Sequence, residues 1–268
     1  MKFLKLSVAF CLAWCAALAP QFAGAQTQPA VGVLVMHGKG GAPEKQVSGL
    51  AAFLESKGYL VLNLEMPWSG RRDYDVGVGA AEQELDTAVA SLKAKGAAQV
   101  FVVGHSLGGI FALYYGGRHP LAGVVAIAPG GNAASPASQE KLGDTIELAR
   151  KLVADGKGNE KTRLLDFEGS KGTYSVIVAP VDYLSWFDPE GAINQMKAMK
   201  NMLPKTPVLY IAPTNDYPGL RSVKQSMFDA LPKQALTKLY EPSSDHLGAP
   251  SAAREEIVRW ISEVLTAK

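Results

Sequence analysis

VFVVGHSLGGI, residues 100–110, sets an apolar run directly against the turn Gly104-His105-Ser106-Leu107-Gly108, and a second apolar run continues to Tyr115. Strand, sharp turn and buried helix in immediate succession, with a serine at the apex, form the expected context of a G-x-S-x-G nucleophile elbow. A serine on so tight a turn needs neighbours without bulk, which Gly104 and Gly108 supply. The helix beginning beneath Ser106 directs backbone N–H groups toward any developing oxyanion. Ser106 is therefore the candidate nucleophile.

On either side of this stretch, short apolar runs alternate with amphipathic segments. VGVLVM at 31–36, YLVLNL at 59–64 and GVVAIA at 123–128 read as buried strands. Val47, Leu50, Ala51 and Leu54 mark one helical face, and Ala81, Leu85, Ala88, Val89 and Leu92 another, with Gly58 and Gly96 as stops. The pattern returns with VLYI at 208–211, a helix over 220–230 and a strand over 236–240. A last helix buries Ile257, Trp260, Ile261 and Val264. Apolar strands alternating with helices predict an α/β fold, a three-layer α/β/α sandwich with a mostly parallel sheet of about six strands. Residues 26–268 read as one domain, a size that fits a single α/β unit of ~250 residues. Residues 131–203 break the rhythm and read as a helical, lid-like insertion after the fourth strand, with helices over 139–154 and 193–202.

Residues 1–25 carry Lys2 and Lys5, an apolar run over 6–18 and Ala23-Gly24-Ala25, the pattern of a cleaved signal peptide. The expected product is an exported protein, periplasmic or secreted, from a bacterium. Both cysteines, Cys11 and Cys15, fall in that segment, so the mature chain is expected to hold neither a disulfide nor a cysteine nucleophile. Phe10 and Trp14 precede them where a lipoprotein signal places small residues, so no membrane anchor is expected. Lys2 and Lys5 account for the whole excess of 27 basic over 25 acidic residues. A neutral mature chain has no electrostatic footprint for nucleic acid.

Four motifs together resemble the α/β-hydrolase superfamily: the elbow at 104–108, the His37-Gly38 turn after the first strand, Asp216 after a late strand and His246 after the last. The likeness spans residues 31–267, with the family's opening two strands absent because only 26–30 precede the first strand. The family order of nucleophile, acid and histidine reads Ser106, Asp216, His246 here. The late loops point the same way. Among the four histidines only His246 sits in a loop beyond a late strand, at the sheet edge where open α/β folds bind ligands. His105 adjoins Ser106, and its side chain is expected to point away from it. For the acid, Asp216 is best placed, Asp245 second and Asp188 third. Met36-His37-Gly38-Lys39-Gly40-Gly41 resembles the family's oxyanion loop, which implies the main-chain amides of Lys39 and Leu107 as donors.

Trp68, Tyr183 and Trp186 are candidate substrate-binding residues; the latter two, with Phe187, Met196 and Met199, either line an apolar pocket or form the insertion's own core. Arg71 and Arg72 either bind an anion or pair with neighbouring acids. Together with the signal segment, the resemblance implies an exported serine hydrolase cleaving small or lipid-like carboxylic esters through an acyl-enzyme; no metal-binding or nucleotide-binding motif appears, so no cofactor and no metal are expected. Two other readings share these residues. An acyltransferase would pass the acyl group to a hydroxyl other than water, and a non-catalytic protein would hold a lipid or peptide with the triad idle.

Overall fold

A computed structural model of the protein describes residues 30–267; the expected signal segment and both cysteines lie outside the described residues. The chain runs β1 (Ala30–Met36), α1 (Ser48–Ser56), β2 (Leu60–Leu64), α2 (Val78–Ala94), β3 (Ala97–His105), α3 (Leu107–Gly116) and β4 (Gly123–Ile127). The insertion follows as α4 (Pro136–Ala154), β5 (Thr162–Glu168), β6 (Gly172–Val178), α5 (Pro180–Phe187) and α6 (Gln195–Lys200). Then come β7 (Val208–Ile211), α7 (Pro218–Asp229), β8 (Lys238–Tyr240), α8 (Ala249–Ala252) and α9 (Arg254–Thr266).

Six strands form one sheet in the order β2-β1-β3-β4-β7-β8, each neighbouring pair parallel. Strand periodicity of two divides their side chains between two cores. Leu34, Met36, Val102, Val124, Ala126 and Tyr210 pack with α2, α3 and the insertion. Val33, Val35, Phe101, Val103, Val125, Ile127 and Leu209 pack with α1 and α9. Both faces are therefore covered, which is why the central strands are apolar throughout. The chain steps outward from β1 to β2 and then returns to β3 on the other side of β1. The carboxyl ends of β1 and β3 thus meet at the switch point where open α/β sheets form sites.

The insertion, expected to be helical, also carries strands. Its helices are present, α4 opening with Pro136 after the Ser135 cap and α6 capped by Asn194. Between them, however, β5 and β6 form an antiparallel hairpin with Thr162 opposite Val178 and Glu168 opposite Gly172. The inward positions of β5 are Leu164 and Asp166, both buried, and a carboxylate on the inner face hides the hydrophobic alternation. The aromatic group of the insertion joins the main core. Trp186 packs against Trp68 at 5.6 Å and Phe111 at 5.3 Å, and Tyr183 stacks on Phe187 at 4.4 Å. Among the described residues no helix is long and apolar enough to cross a membrane.

One backbone contact places α3 over β3. A Cβ on Gly104 would lie 2.0 Å from the carbonyl oxygen of Gly108. Gly104→Ala is thus expected to cost about 3 kcal/mol or more in urea unfolding, since backbone atoms cannot yield as a side chain can. Gly143, inside α4, is the control, because a Cβ there would meet no heavy atom within 4 Å. Gly143→Ala is expected to raise stability by about 0.5–1 kcal/mol.

Candidate active site

Ser106 stands between the last residue of β3 and the first of α3, with φ 55° and ψ −118°. A non-glycine residue rarely adopts that conformation, and holding it costs on the order of 1–3 kcal/mol. It is held by the Ser106 N–H donating to the carbonyl of Ile127 at 2.9 Å and by Gly109 N–H donating to the Ser106 carbonyl at 2.8 Å. The serine remains partly exposed.

The acid and the histidine reach it through an extension of the sheet. Beyond β7 and β8, Thr214 N–H donates to Pro242 and Asn215 N–H to Ser244, each at 3.0 Å, and Asn215 bridges Asp245 in parallel register. Asp216 and His246 each follow a bridged residue, so the loops deliver them side by side. His246 Nδ1–H donates to Asp216 Oδ1 at 2.7 Å, and its Nε2 lies 3.0 Å from Ser106 Oγ. Asp216 Oδ1 also accepts from the Tyr217 amide at 2.7 Å, and the Tyr217 ring covers the imidazole at 4.6 Å. Asp216 and His246 are both buried. The other two acids are engaged elsewhere, Asp245 with the Gly248 amide and Asp188 with Arg150 and the Glu190 amide.

Two further histidines brace this arrangement, a role that no local sequence signal marks. His105 does turn away from Ser106: its Nε2–H donates to the His246 carbonyl at 2.9 Å, while its buried Nδ1 has no partner among the described residues. Burial and the nearby His246 push its pKa down to about 4. His37 Nδ1–H donates to the Gly38 carbonyl at 2.7 Å and its Nε2 accepts from the Met66 amide at 3.0 Å. Burial lowers its pKa as well. Both rings are thus neutral structural braces.

The loop after β1 lies against the elbow, since a Cβ on Gly38 would come within 3.0 Å of Ser106 Cβ. Gly40 N–H donates to Trp68 and Gly41 N–H to Gly38. Among the described residues the amides of Lys39 and Leu107 have no hydrogen-bond partner. Both are free backbone donors, one next in sequence to Ser106 and the other next to Gly38, which lies against it.

The three aromatic candidates lie in the core. Trp68 donates its indole N–H to the His37 carbonyl at 2.9 Å and Tyr183 its hydroxyl to the Leu165 carbonyl at 2.7 Å, so neither presents an open wall. Trp186 alone of the three edges a space of about 10 Å³, shared with Lys39, Leu107, Phe167 and Phe187, room for roughly one water. A larger cleft of about 550 Å³ lies beside the acid, walled by Pro129, Tyr210, Asp216, Leu220 and Arg221. Gly130 separates it from the imidazole, because a Cβ there would touch both Leu220 at 3.1 Å and His246 at 3.6 Å. Arg71 pairs with Glu44 and Glu65, and Arg72 with Asp75 and Glu84, so the two arginines are committed to neighbouring acids. Among the described residues no group of three or more His, Cys, Asp or Glu side chains is arranged to hold a metal.

A model of the alpha/beta hydrolase family matches residues 16–260. No curated protein matches the sequence. Among solved structures, a monoacylglycerol lipase from Paleococcus ferrophilus is 22% identical with a TM-score of 0.64, over 88% of this chain and 96% of that one. Est1E from Butyrivibrio proteoclasticus, with ferulic acid bound, is 14% identical at 0.61, over 89% and 90%. A thermostable carboxyl esterase from Bacillus coagulans, in complex with glycerol, is 16% identical at 0.60, over 90% and 91%. At these identities the likeness is one of fold.

The depressed pKa of His105 makes stability depend on pH in a definite direction. The unfolded chain takes up this proton near the ordinary value of 6.5, the folded chain only near about 4. The resulting stabilisation, at most about 3 kcal/mol, is present above pH 6.5 and lost as the pH falls toward 4. Urea midpoints of the wild type are expected to drop over that window. His105→Gln, which keeps a donor for the His246 carbonyl, should flatten the drop; an equal drop in the variant would contradict the assignment.

Proposed function

The chain belongs to the alpha/beta hydrolase family, and from that premise we propose that it is an exported serine hydrolase of carboxylic esters working through an acyl-enzyme. The observation that carries this reading is the continuous relay from Asp216 through His246 to Ser106, at 2.7 and 3.0 Å, beside two unengaged backbone donors. Export rests on Lys2, Lys5, the apolar run that follows and Ala23-Gly24-Ala25. The lipase and esterase names of the structural neighbours favour esters as the substrate class.

In this mechanism His246 Nε2 takes the Ser106 proton as Oγ attacks the ester carbonyl. Asp216, bonded to Nδ1, fixes the tautomer that leaves Nε2 free to accept and stabilises the imidazolium that forms. The negative charge gathering on the carbonyl oxygen is met by the amides of Lys39 and Leu107, the second belonging to the opening turn of α3. His246 then protonates the leaving alcohol. Water, deprotonated by the same imidazole, attacks the acyl-enzyme, and collapse of the second tetrahedral species returns the proton to Ser106. The strained φ of Ser106 holds its oxygen at the imidazole before substrate arrives, so no reorganisation is needed at the moment of attack.

Mass spectrometry after treatment with a fluorophosphonate is expected to find one adduct, on Ser106, together with turnover of p-nitrophenyl acetate. Ser106→Ala and His246→Ala should lose the adduct or form it far more slowly, and Asp216→Asn should lower kcat roughly 10³–10⁴-fold. A folded wild type that forms no adduct, or Ser106→Ala that retains turnover, would overturn the reading.

A further inference from the structure

Lys39 is held at its far end while its backbone amide stays free. Its ammonium donates to Asp166 Oδ1 at 2.5 Å and to the Phe167 carbonyl at 3.1 Å, and lies over the Phe187 ring at 5.3 Å. Asp166 belongs to β5 of the insertion, 127 residues away in sequence. Its carboxylate is fully buried, and the Lys39 side chain is only 9% exposed. Besides Lys39, the carboxylate accepts from Tyr74 at 2.9 Å, Tyr174 at 2.8 Å and the Phe167 amide at 2.6 Å. Four donors fill the four lone-pair sites of a carboxylate. Removing either member of such a pair leaves a buried charge uncompensated, so the two are bound to move as one unit.

The neighbouring amides of Gly40 and Gly41 are tied to Trp68 and Gly38, whereas the Lys39 amide has no hydrogen-bond partner among the described residues. We propose that Asp166 is a positioning residue for the oxyanion donor at Lys39: the insertion hairpin, through this buried ion pair, sets where the Lys39 amide points. The inference rests on the serine-hydrolase reading above. Its consequence is that the oxyanion hole is completed only when the hairpin is seated on the body of the domain. The hairpin has a second tie, Ile177 N–H donating to Asp73 at 3.0 Å, beside Tyr74, which itself grips Asp166. Loop, hairpin and the segment carrying Asp73 and Tyr74 therefore close on one carboxylate. The interaction acts on transition-state charge, because a displaced amide loses the oxyanion while leaving the neutral ester almost as well bound.

The test uses Asp166→Asn, Lys39→Met and Lys39→Arg in the full chain, measured well below each variant's melting temperature. Active sites are counted by phosphonate titration carried to completion, and p-nitrophenyl acetate turnover is expressed per titrated site. Asp166→Asn and Lys39→Met are expected to lose about 10–100-fold in kcat with KM within about threefold, and Lys39→Arg to recover most of the loss. Amide hydrogen exchange over residues 37–41 is expected to quicken in Asp166→Asn. A purely structural pair would lower the melting temperature and the number of titrated sites but not kcat per site. Retention of kcat per site within twofold, a loss confined to KM, or unchanged exchange at 37–41 would overturn the proposal. Absence of wild-type turnover and labelling would instead overturn the hydrolase reading, with the exchange measurement still deciding the clamp.

Discussion

The site depends on two backbones that touch. At the end of β3 the chain reverses so tightly that the Gly104 Cα lies against the Gly108 carbonyl, and a single methyl group there would sit 2.0 Å from that oxygen. Within this turn Ser106 holds a positive φ, and α3 starts at the next residue, beneath its hydroxyl. The proposed nucleophile and one proposed oxyanion donor therefore belong to the same turn. The Gly38 loop lies close against that turn: a Cβ on Gly38 would sit 3.0 Å from Ser106 Cβ.

The rest of the fold supplies what the turn lacks. Parallel strands present their carboxyl ends together, and the register of β7 with β8 continues past the strands into the Asn215–Asp245 bridge. That continuation is why an acid and a histidine 30 residues apart arrive 2.7 Å from each other. His37 and His105 occupy the next layer. Burial keeps both uncharged, so each acts as a fixed donor to a backbone carbonyl, His37 within the loop after β1 and His105 to the main chain of His246. Neutral imidazoles brace the site without opposing the positive charge that His246 would acquire in the proposed mechanism.

What could be read from the sequence alone follows the range of the interactions involved. The elbow is legible because it is local, eleven consecutive residues with strand, turn and helix in order. Asp216 and His246 are legible because a late loop offers few titratable side chains and the order along the chain is constrained. The hairpin of the insertion is not, since Asp166 occupies an inward position that an apolar residue would normally mark. The pairing of Lys39 with Asp166 is equally hidden, because only the folded chain brings together residues 127 apart. Trp68 reads as a pocket wall and Tyr183 as either a wall or the insertion's core; both prove to be core, buried and spending their polar atom on a backbone carbonyl.

The most direct test of the relay and its oxyanion donors is a crystal structure of the protein after reaction with a small alkyl phosphonate, whose tetrahedral phosphorus mimics the first intermediate. The expected result is a covalent bond from Ser106 Oγ to phosphorus, with the phosphoryl oxygen within hydrogen-bond distance of both the Lys39 and Leu107 amides and His246 still joined to Asp216. A phosphoryl oxygen that meets neither amide, or an adduct on another residue, would contradict the assignment of this turn as the catalytic centre.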